Sequence, residues 1–349
     1  MHKISSRLLS WYDQKHRHLP WRISPKEQMK GISPDPYRVW LSEIMLQQTT
    51  VEAVKSYFQK FLNLWPDLPS LAKASQDDIM KAWAGLGYYS RARNLKNCAQ
   101  KLMNDYGGQF PQSVKILRTL PGIGDYTSAA IAAIAFNHPV AVVDGNVQRV
   151  ITRLFAISSV LHKAKTEIKE KTQKIIALNR PGDFAQAMMD LGATICTPRK
   201  PSCLLCPLHS LCQAAKMQAV ESFPVKAPKK ERLSKTGVAF VVLNENNQIY
   251  LEKRQNKKLL GGMTQIPNNI GSNDENGLQN APFPANWQFK GQITHVFTHF
   301  SLKLDIYYVN GIYEMKNENG WWCDIQHLAE EALPTVMKKA ISVAIPNSF

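Results

Sequence analysis

At 349 residues and 44% hydrophobic content, the chain is long enough for two domains, each with its own core. No stretch approaches the roughly 18 apolar residues of a membrane span. The N-terminus MHKISSRLLSWYDQKHRH has no apolar signal core, so a cytoplasmic address is expected and a membrane is not. A formal net charge of +16 points to a polyanionic partner, nucleic acid before membrane; a generally basic solvated surface is the plainer alternative.

In chain order, residues 1–20 carry a helical pattern that ends at Leu19-Pro20-Trp21-Arg22, and residues 23–36 read as a surface loop. A long helical pattern follows from Tyr37 to Leu62. The polar run Gln47-Gln48-Thr49-Thr50 interrupts it, as a loop tip between two helices would. Glu43 lies beside the apolar stripe, where a glutamate is ordinarily a solvated flank residue. Asp77-Asp78 can cap a helix through Trp83. The run Gly85-Leu86-Gly87-Tyr88-Tyr89-Ser90-Arg91-Ala92-Arg93 suits either a DNA-facing turn or a helix corner with packed tyrosines.

The segment 118–146 organises the rest. Leu120-Pro121-Gly122-Ile123-Gly124 is a tight glycine turn that feeds a helix of small residues, Tyr126 to Phe136. Glycines allow close backbone approach, and the following helix start offers free N–H groups to an anion, so the turn reads as a phosphate clamp. The segment closes on Asp144-Gly145-Asn146. By itself Asp144 is most simply an N-cap. Helical patterns continue over 166–179 and 183–192, the second stopping at Gly192, with no clear strand before it.

Four cysteines then cluster as Cys196-x6-Cys203-x2-Cys206-x5-Cys212. Thiols this close suggest one metal centre in a reducing compartment. Zinc or a [4Fe–4S] cluster would satisfy cysteine-only ligation. Cys98 and Cys323 are isolated and read as buried thiols. Residues 221–236 form a basic, proline-containing linker. Beyond it the period changes. Val238–Leu243 and Ile249–Leu251 read as a hairpin, and Ile293–Tyr308 as a strand pair around Thr298-His299. A terminal helix follows within 324–344.

Together these residues resemble the helix-hairpin-helix DNA glycosylase superfamily and, within it, the adenine DNA glycosylases of the MutY type. The resemblance rests on Trp40–Thr49, Gly85–Tyr89, Leu120–Gly124, Val143–Val147, Ala187–Gly192 and the cysteine spacing. It covers residues 1 to about 225 strongly. The C-terminal part is similar, more weakly, to the Nudix-like module that such enzymes use to sense 8-oxoguanine. The resemblance implies a mainly α catalytic region over 1–220, with the hairpin at about 113–136 and the iron–sulfur loop at 196–212. An α/β recognition domain is then expected over 237–349.

The same resemblance implies removal of adenine mispaired with 8-oxoguanine or guanine in double-stranded DNA. A monomer is expected, and a bacterial cytoplasm with nucleoid association is the simplest address, because no targeting segment is evident. Glu43 is then the acid that protonates the adenine ring, and Asp144 the carboxylate that meets the oxocarbenium sugar. Tyr126 and Asn146 hold Asp144 and the attacking water. Arg22, Leu46 and Gln186 surround the flipped base, and Gly122 and Gly124 form the hairpin. Gln48 and Tyr88 act as wedges, and Leu86 and Thr49 contact the opposite purine. Thr298 and His299 occupy the place of the family's Phe-Ser-His turn. Cys196, Cys203, Cys206 and Cys212 hold a [4Fe–4S] cluster.

Relatives of the endonuclease III type carry a lysine where this chain has Tyr126. A tyrosine cannot form a Schiff base, so base removal without strand cleavage is expected. The second domain lacks the glutamate-rich Nudix signature for magnesium and reads as recognition, not hydrolysis. The competing assignments are a bifunctional glycosylase/lyase, a non-catalytic iron–sulfur DNA-binding protein and a nucleotide pyrophosphohydrolase. Tyr126, the retained Glu43 and Asp144, and the missing magnesium motif respectively argue against them.

Overall fold

A computed structural model describes residues 2–228, 233–255, 259–270, 277–311, 315 and 319–349. The chain divides into two compact units. Met1–Lys73 with Asn97–Lys229 forms the first, and Ala74–Lys96 with Lys230–Phe349 the second.

The first unit is helical. Its helices are α1 (His2–Lys15), α2 (Pro25–Met29), α3 (Pro36–Leu46), α4 (Val51–Leu64) and α5 (Leu68–Lys73). The helix α6 (Gln76–Trp83) belongs to the second unit, and α7 (Ser90–Tyr106) begins there. The first unit continues with α8 (Val114–Leu117), α9 (Asp125–Phe136), α10 (Gly145–Leu154), α11 (Lys165–Lys174), α12 (Pro181–Thr194) and α13 (Gln213–Lys216).

Its centre is made by α9 and α12. The small residues of α9, Ala129, Ala130, Ala132 and Ala133, are buried, so α3 and α12 can both pack closely against it. A Cβ on Gly182 would lie 2.7 Å from the Ala133 carbonyl oxygen, and one on Gly192 would lie 2.6 Å from the Asn146 Cβ. Both glycines are therefore close-approach positions. That explains why α12 runs through Gly192 to Thr194 instead of stopping there. Trp40, Phe58 and Phe61 are fully buried, at about 2–3 kcal/mol each by apolar burial.

Other boundaries also differ from the expectation. Helix α1 ends at Lys15, short of Pro20. The stretch 23–36 contains α2: Ser24 caps it, Pro25 sits at its first position, and Glu27 completes a capping box. Helix α6 is capped by Ser75, whose side chain accepts from the Asp78 amide, so the aspartates fill the first turn. The run 47–50 does separate two helices, α3 and α4, and Gln48 takes φ +60° to make the break.

The second unit carries a six-stranded sheet of β1 (Leu233–Leu243), β2 (Gln248–Lys253), β3 (Thr264–Gln265), β4 (Gln288–Val296), β5 (Phe300–Asn310) and β6 (Gly320–Asp324). Its order is β3-β2-β1-β5-β4, with β6 paired to β2. Strands β1 and β5 are parallel in register from Leu233↔Phe300 to Leu243↔Asn310, and the other pairs are antiparallel. Helix α14 (Thr335–Ala344) covers one face, where Met337 and Ile341 join Val241, Leu251, Leu304 and Ile306 in one core. Of the basic stretch 221–236, residues 229–232 lie outside the described residues, and β1 takes in 233–236. Among the described residues no helix is long and apolar enough to cross a membrane.

Candidate active site

Helix α3 is capped by Asp35 and started by Pro36, and it buries Tyr37, Val39, Trp40, Leu41, Ile44 and Met45. That apolar packing carries Glu43 inward with it, leaving the residue 5% exposed. Glu43 lines a cavity of about 630 Å³ with Arg22, Leu46, Gln48, Thr49, Tyr126, Asp144, Asn146 and Gln186, a size suited to a small ligand or a nucleoside. Burial pushes the Glu43 carboxyl up to about 7. The nearby Tyr126 hydroxyl and the charge of Arg22 oppose the rise, and the charge of Asp144 adds to it. Its Oε2 is buried with no hydrogen-bond partner. Such an atom costs free energy unless it is protonated or meets a ligand.

Asp144 is the N-cap of α10. Its Oδ1 accepts from the Val147 amide at 2.7 Å and its Oδ2 from Asn146 Nδ2 at 2.9 Å. The cap and the site are one feature: the hydrogen bonds that start the helix also fix the carboxylate. Asn146 is held in turn. Its Oδ1 accepts from Arg149 Nη2 at 2.8 Å, and the same guanidinium donates to the carbonyls of Gly192 at 2.7 Å and Cys196 at 2.7 Å. A continuous set of hydrogen bonds thus runs from Asp144 to the first cysteine of the cluster loop. Tyr126, on α9, donates to the Met189 sulfur at 3.6 Å. Burial holds its phenol well above the usual value, so it stays a neutral donor.

Arg22 reaches the cavity from the segment after α1. Its Nη1 donates to both oxygens of Asp190 at 2.8 Å, and Arg17 donates to the same carboxylate through Nε at 2.6 Å and its amide at 2.9 Å. Gln186, 2% exposed, comes from the preceding turn of α12. Gln47 donates to Thr127 Oγ1 at 3.2 Å, which pins the 47–50 turn to α9.

The hairpin stands apart from the cavity. Gly122 adopts φ +77° and Gly124 is the N-cap of α9 with no side-chain cap, so both are exposed and neither lines the cavity. The uncapped N–H groups at this helix start are the kind of donors that a phosphate takes.

In the second unit, a cavity of about 540 Å³ is lined by Tyr88, Arg93, Phe297, Thr298 and His299. The Tyr88 and Thr298 hydroxyls are hydrogen-bonded at 2.6 Å. Leu86 is buried and lines neither cavity, while Tyr88 is exposed with φ +49°.

The thiols of Cys196, Cys203, Cys206 and Cys212 are free and line a single cavity in the first unit. Burial pushes the Cys206 thiol up to about 12. Four sulfurs in such a place become thiolates when a cationic centre meets their charge, so the donor set fits a cluster. Arg153, 1% exposed, supports the loop. It donates to the carbonyl of Thr197 at 2.7 Å, that of Phe223 at 3.0 Å, and the Cys196 sulfur at 3.3 Å.

Arg17, Arg149, Arg153 and Asp190 were not singled out by the sequence reading. The signal available was modest: two arginines four apart on one helix face, and an aspartate following the apolar run Ala187-Met188-Met189 of α12.

Comparison with known proteins agrees with this architecture. Residues 41–177 match the HhH-GPD superfamily of base excision DNA repair proteins, and residues 196–212 the iron-sulfur binding domain of endonuclease III. Residues 238–343 match the NUDIX domain. These matches, with the paired carboxylates and the cysteine loop, define a base excision DNA repair glycosylase with an iron–sulfur cluster and a Nudix-like C-terminal domain.

The human adenine DNA glycosylase is 36% identical over 86% of this chain, which spans 65% of that protein's length. The adenine DNA glycosylase of Buchnera aphidicola (strain Sg) is 32% identical over 97% of this chain and 98% of its own. A thermostable thymine-DNA glycosylase structure superimposes with TM-score 0.54 at 33% identity, covering 61% of this chain and 95% of its own. The chain belongs to the adenine DNA glycosylase family.

Proposed function

We propose that this chain removes adenine mispaired with 8-oxoguanine or guanine from duplex DNA and leaves the strand uncut. The observation that carries this reading is the pair of carboxylates in one cavity, held in unlike surroundings. A base inside a duplex cannot reach such a cavity, so adenine enters flipped out of the stack. Arg22, Leu46 and Gln186 surround it. Glu43, holding its proton near neutral pH, protonates the adenine ring and turns it into a neutral leaving group. As the glycosidic bond breaks, the Asp144 carboxylate meets the developing positive charge on the sugar. Asn146 keeps Asp144 in place, and Tyr126 with Asn146 orients the attacking water. Tyr126 has no amine, so no imine forms with the opened sugar and no strand cleavage follows.

The other residues act on DNA. The hairpin at Gly122 and Gly124 takes a backbone phosphate. Gln48 and Tyr88 wedge the opened duplex, Thr49 and Leu86 contact the opposite purine, and Thr298 with His299 reads it. Cys196, Cys203, Cys206 and Cys212 would hold a [4Fe–4S] cluster, which when bound cross-links the 196–212 loop. The enzyme works as a monomer on bacterial nucleoid DNA, in keeping with its +16 charge.

The test is single-turnover reaction with duplexes carrying adenine opposite 8-oxoguanine, guanine or thymine, with and without alkali. Product from the first two duplexes, visible only after alkali, is expected. Strand breaks without alkali at the rate of base loss would overturn the monofunctional reading, and no adenine release would overturn the catalytic one.

A further inference from the structure

Asp190 is fully buried, yet it lies outside the lining of the Glu43 cavity. A carboxylate with no exposure is costly unless every lone pair is met. Here each oxygen accepts two bonds: Oδ1 from Arg17 Nε and Arg22 Nη1, and Oδ2 from the Arg17 amide and Arg22 Nη1. Such saturation fixes both guanidinium groups. Arg22 spends only Nη1 on Asp190. Its Nε and Nη2 have no protein partner among the described residues, although the residue lines the cavity.

The charges around this point form a short series. Glu43 on α3 faces Tyr126 from α9, Asp144 from the start of α10, and Arg22. Arg22 faces Asp190 from α12, Tyr12 from α1, and Glu43. Tyr12 faces Asp183 and Arg180 as well. Among the described residues Arg22 is thus the cation acting on the buried Glu43 carboxyl, and it is one of the two cations, with Arg17, that Asp190 binds.

We propose that Asp190 is a positioning residue for base excision, holding Arg22 in one orientation at the wall of the base cavity and offsetting its charge there. This rests on the reading of Glu43 as the acid. An uncompensated Arg22 beside Glu43 would favour the carboxylate over the acid and withdraw the proton that the reaction needs. With Asp190 in place, Arg22 can meet a base through its remaining donors without stripping Glu43.

The deciding measurement is the ionisation of Glu43 in the full-length, cluster-loaded protein without DNA. It is followed by carboxyl ¹³C NMR and assigned with Glu43→Gln. In Asp190→Asn the midpoint moves to lower pH, and the protonated fraction above it falls about tenfold. In the double variant Arg22→Gln/Asp190→Asn the midpoint returns to the wild-type position or above it, a restoration that a merely structural role would not give. An unmoved midpoint in Asp190→Asn overturns the proposal.

If Asp190→Asn does not fold, Arg22→Gln alone decides. Its midpoint moves to higher pH, and no movement overturns the proposal. Single-turnover excision by the same proteins tests the underlying reading separately. If the wild-type protein releases no adenine, the functional reading fails, while the titration still decides whether Asp190 offsets Arg22.

Discussion

The two cavities solve different problems with different materials. The Glu43 cavity draws its polar groups from three helices, α3, α9 and α12, and from the start of α10, all packed in one apolar core. Glu43 is buried there, and the charged groups in and behind its wall are tied into hydrogen-bonded sets: Asp190 with Arg17 and Arg22, and Asp144 with Asn146 and Arg149. The Thr298 cavity is built at a strand turn. Phe297 and Phe300 stack at 4.7 Å between centroids, His295 meets Phe297 at 4.6 Å, and the Tyr88 and Thr298 hydroxyls stay exposed. Burial is the largest cause of the raised Glu43 pKa, so a proton held to neutral pH calls for the first kind of site. Recognition by a hydroxyl needs only a fixed donor and acceptor, and water can remain. The first cavity should therefore be intolerant of single changes and the second forgiving.

That contrast is broken most directly by removing either carboxylate. Asp144→Asn and Glu43→Gln should each lower single-turnover excision by about 10³-fold, with duplex binding retained in a filter or anisotropy assay. Retained activity in either would mean that the cavity is not where the chemistry occurs.

One step out, Arg149→Gln cuts the hydrogen bonds between Asn146 and the cluster loop. Excision should fall about 10- to 100-fold, with iron content, measured separately, remaining near wild type. Equal loss of iron and activity would instead assign Arg149 to holding the loop.

The pH dependence sharpens the comparison, because the first cavity holds a buried carboxyl whose proton is kept to neutral pH. With Glu43 as the proposed acid, excision should fall as pH rises through about 7. The folded protein also holds this proton at pH values where the unfolded chain, near 4.5, has lost it. The contribution of Glu43 to stability is therefore fully present below about 4.5 and is lost as pH rises through about 7. Denaturant midpoints should decline across that window, and Glu43→Gln should flatten the decline.

The smallest effect is expected in the second cavity. Thr298→Ser keeps the hydroxyl and should leave the preference for 8-oxoguanine over guanine opposite adenine unchanged. Thr298→Val removes one hydrogen bond, about 1 kcal/mol, and should weaken that preference about fivefold. A larger loss would place the second cavity closer to the chemistry than its exposure suggests.

Much of this was legible in the chain. The order of helices, the glycine turn at Gly122, the change to strand period after residue 237 and the cysteine spacing are local patterns, and local patterns survive without a tertiary context. The short helix α2 was hidden because Pro25 reads as a breaker, although with Ser24 and Glu27 it forms a helix start. Gly192 read as a helix end because its close approach to Asn146 is invisible in one dimension.

Residue type and motif order, read through the family resemblance, marked Glu43 and Asp144 as candidates, since both are one-dimensional properties. Only the tertiary structure decided what state they are in. The partnerless Oε2 of Glu43, the four bonds on Asp190 and the link from Asp144 through Asn146 and Arg149 to Cys196 all depend on burial and on contacts between distant segments. Acid strength and orientation are set by the surrounding dielectric and by hydrogen-bond geometry, and both exist only once the helices have packed.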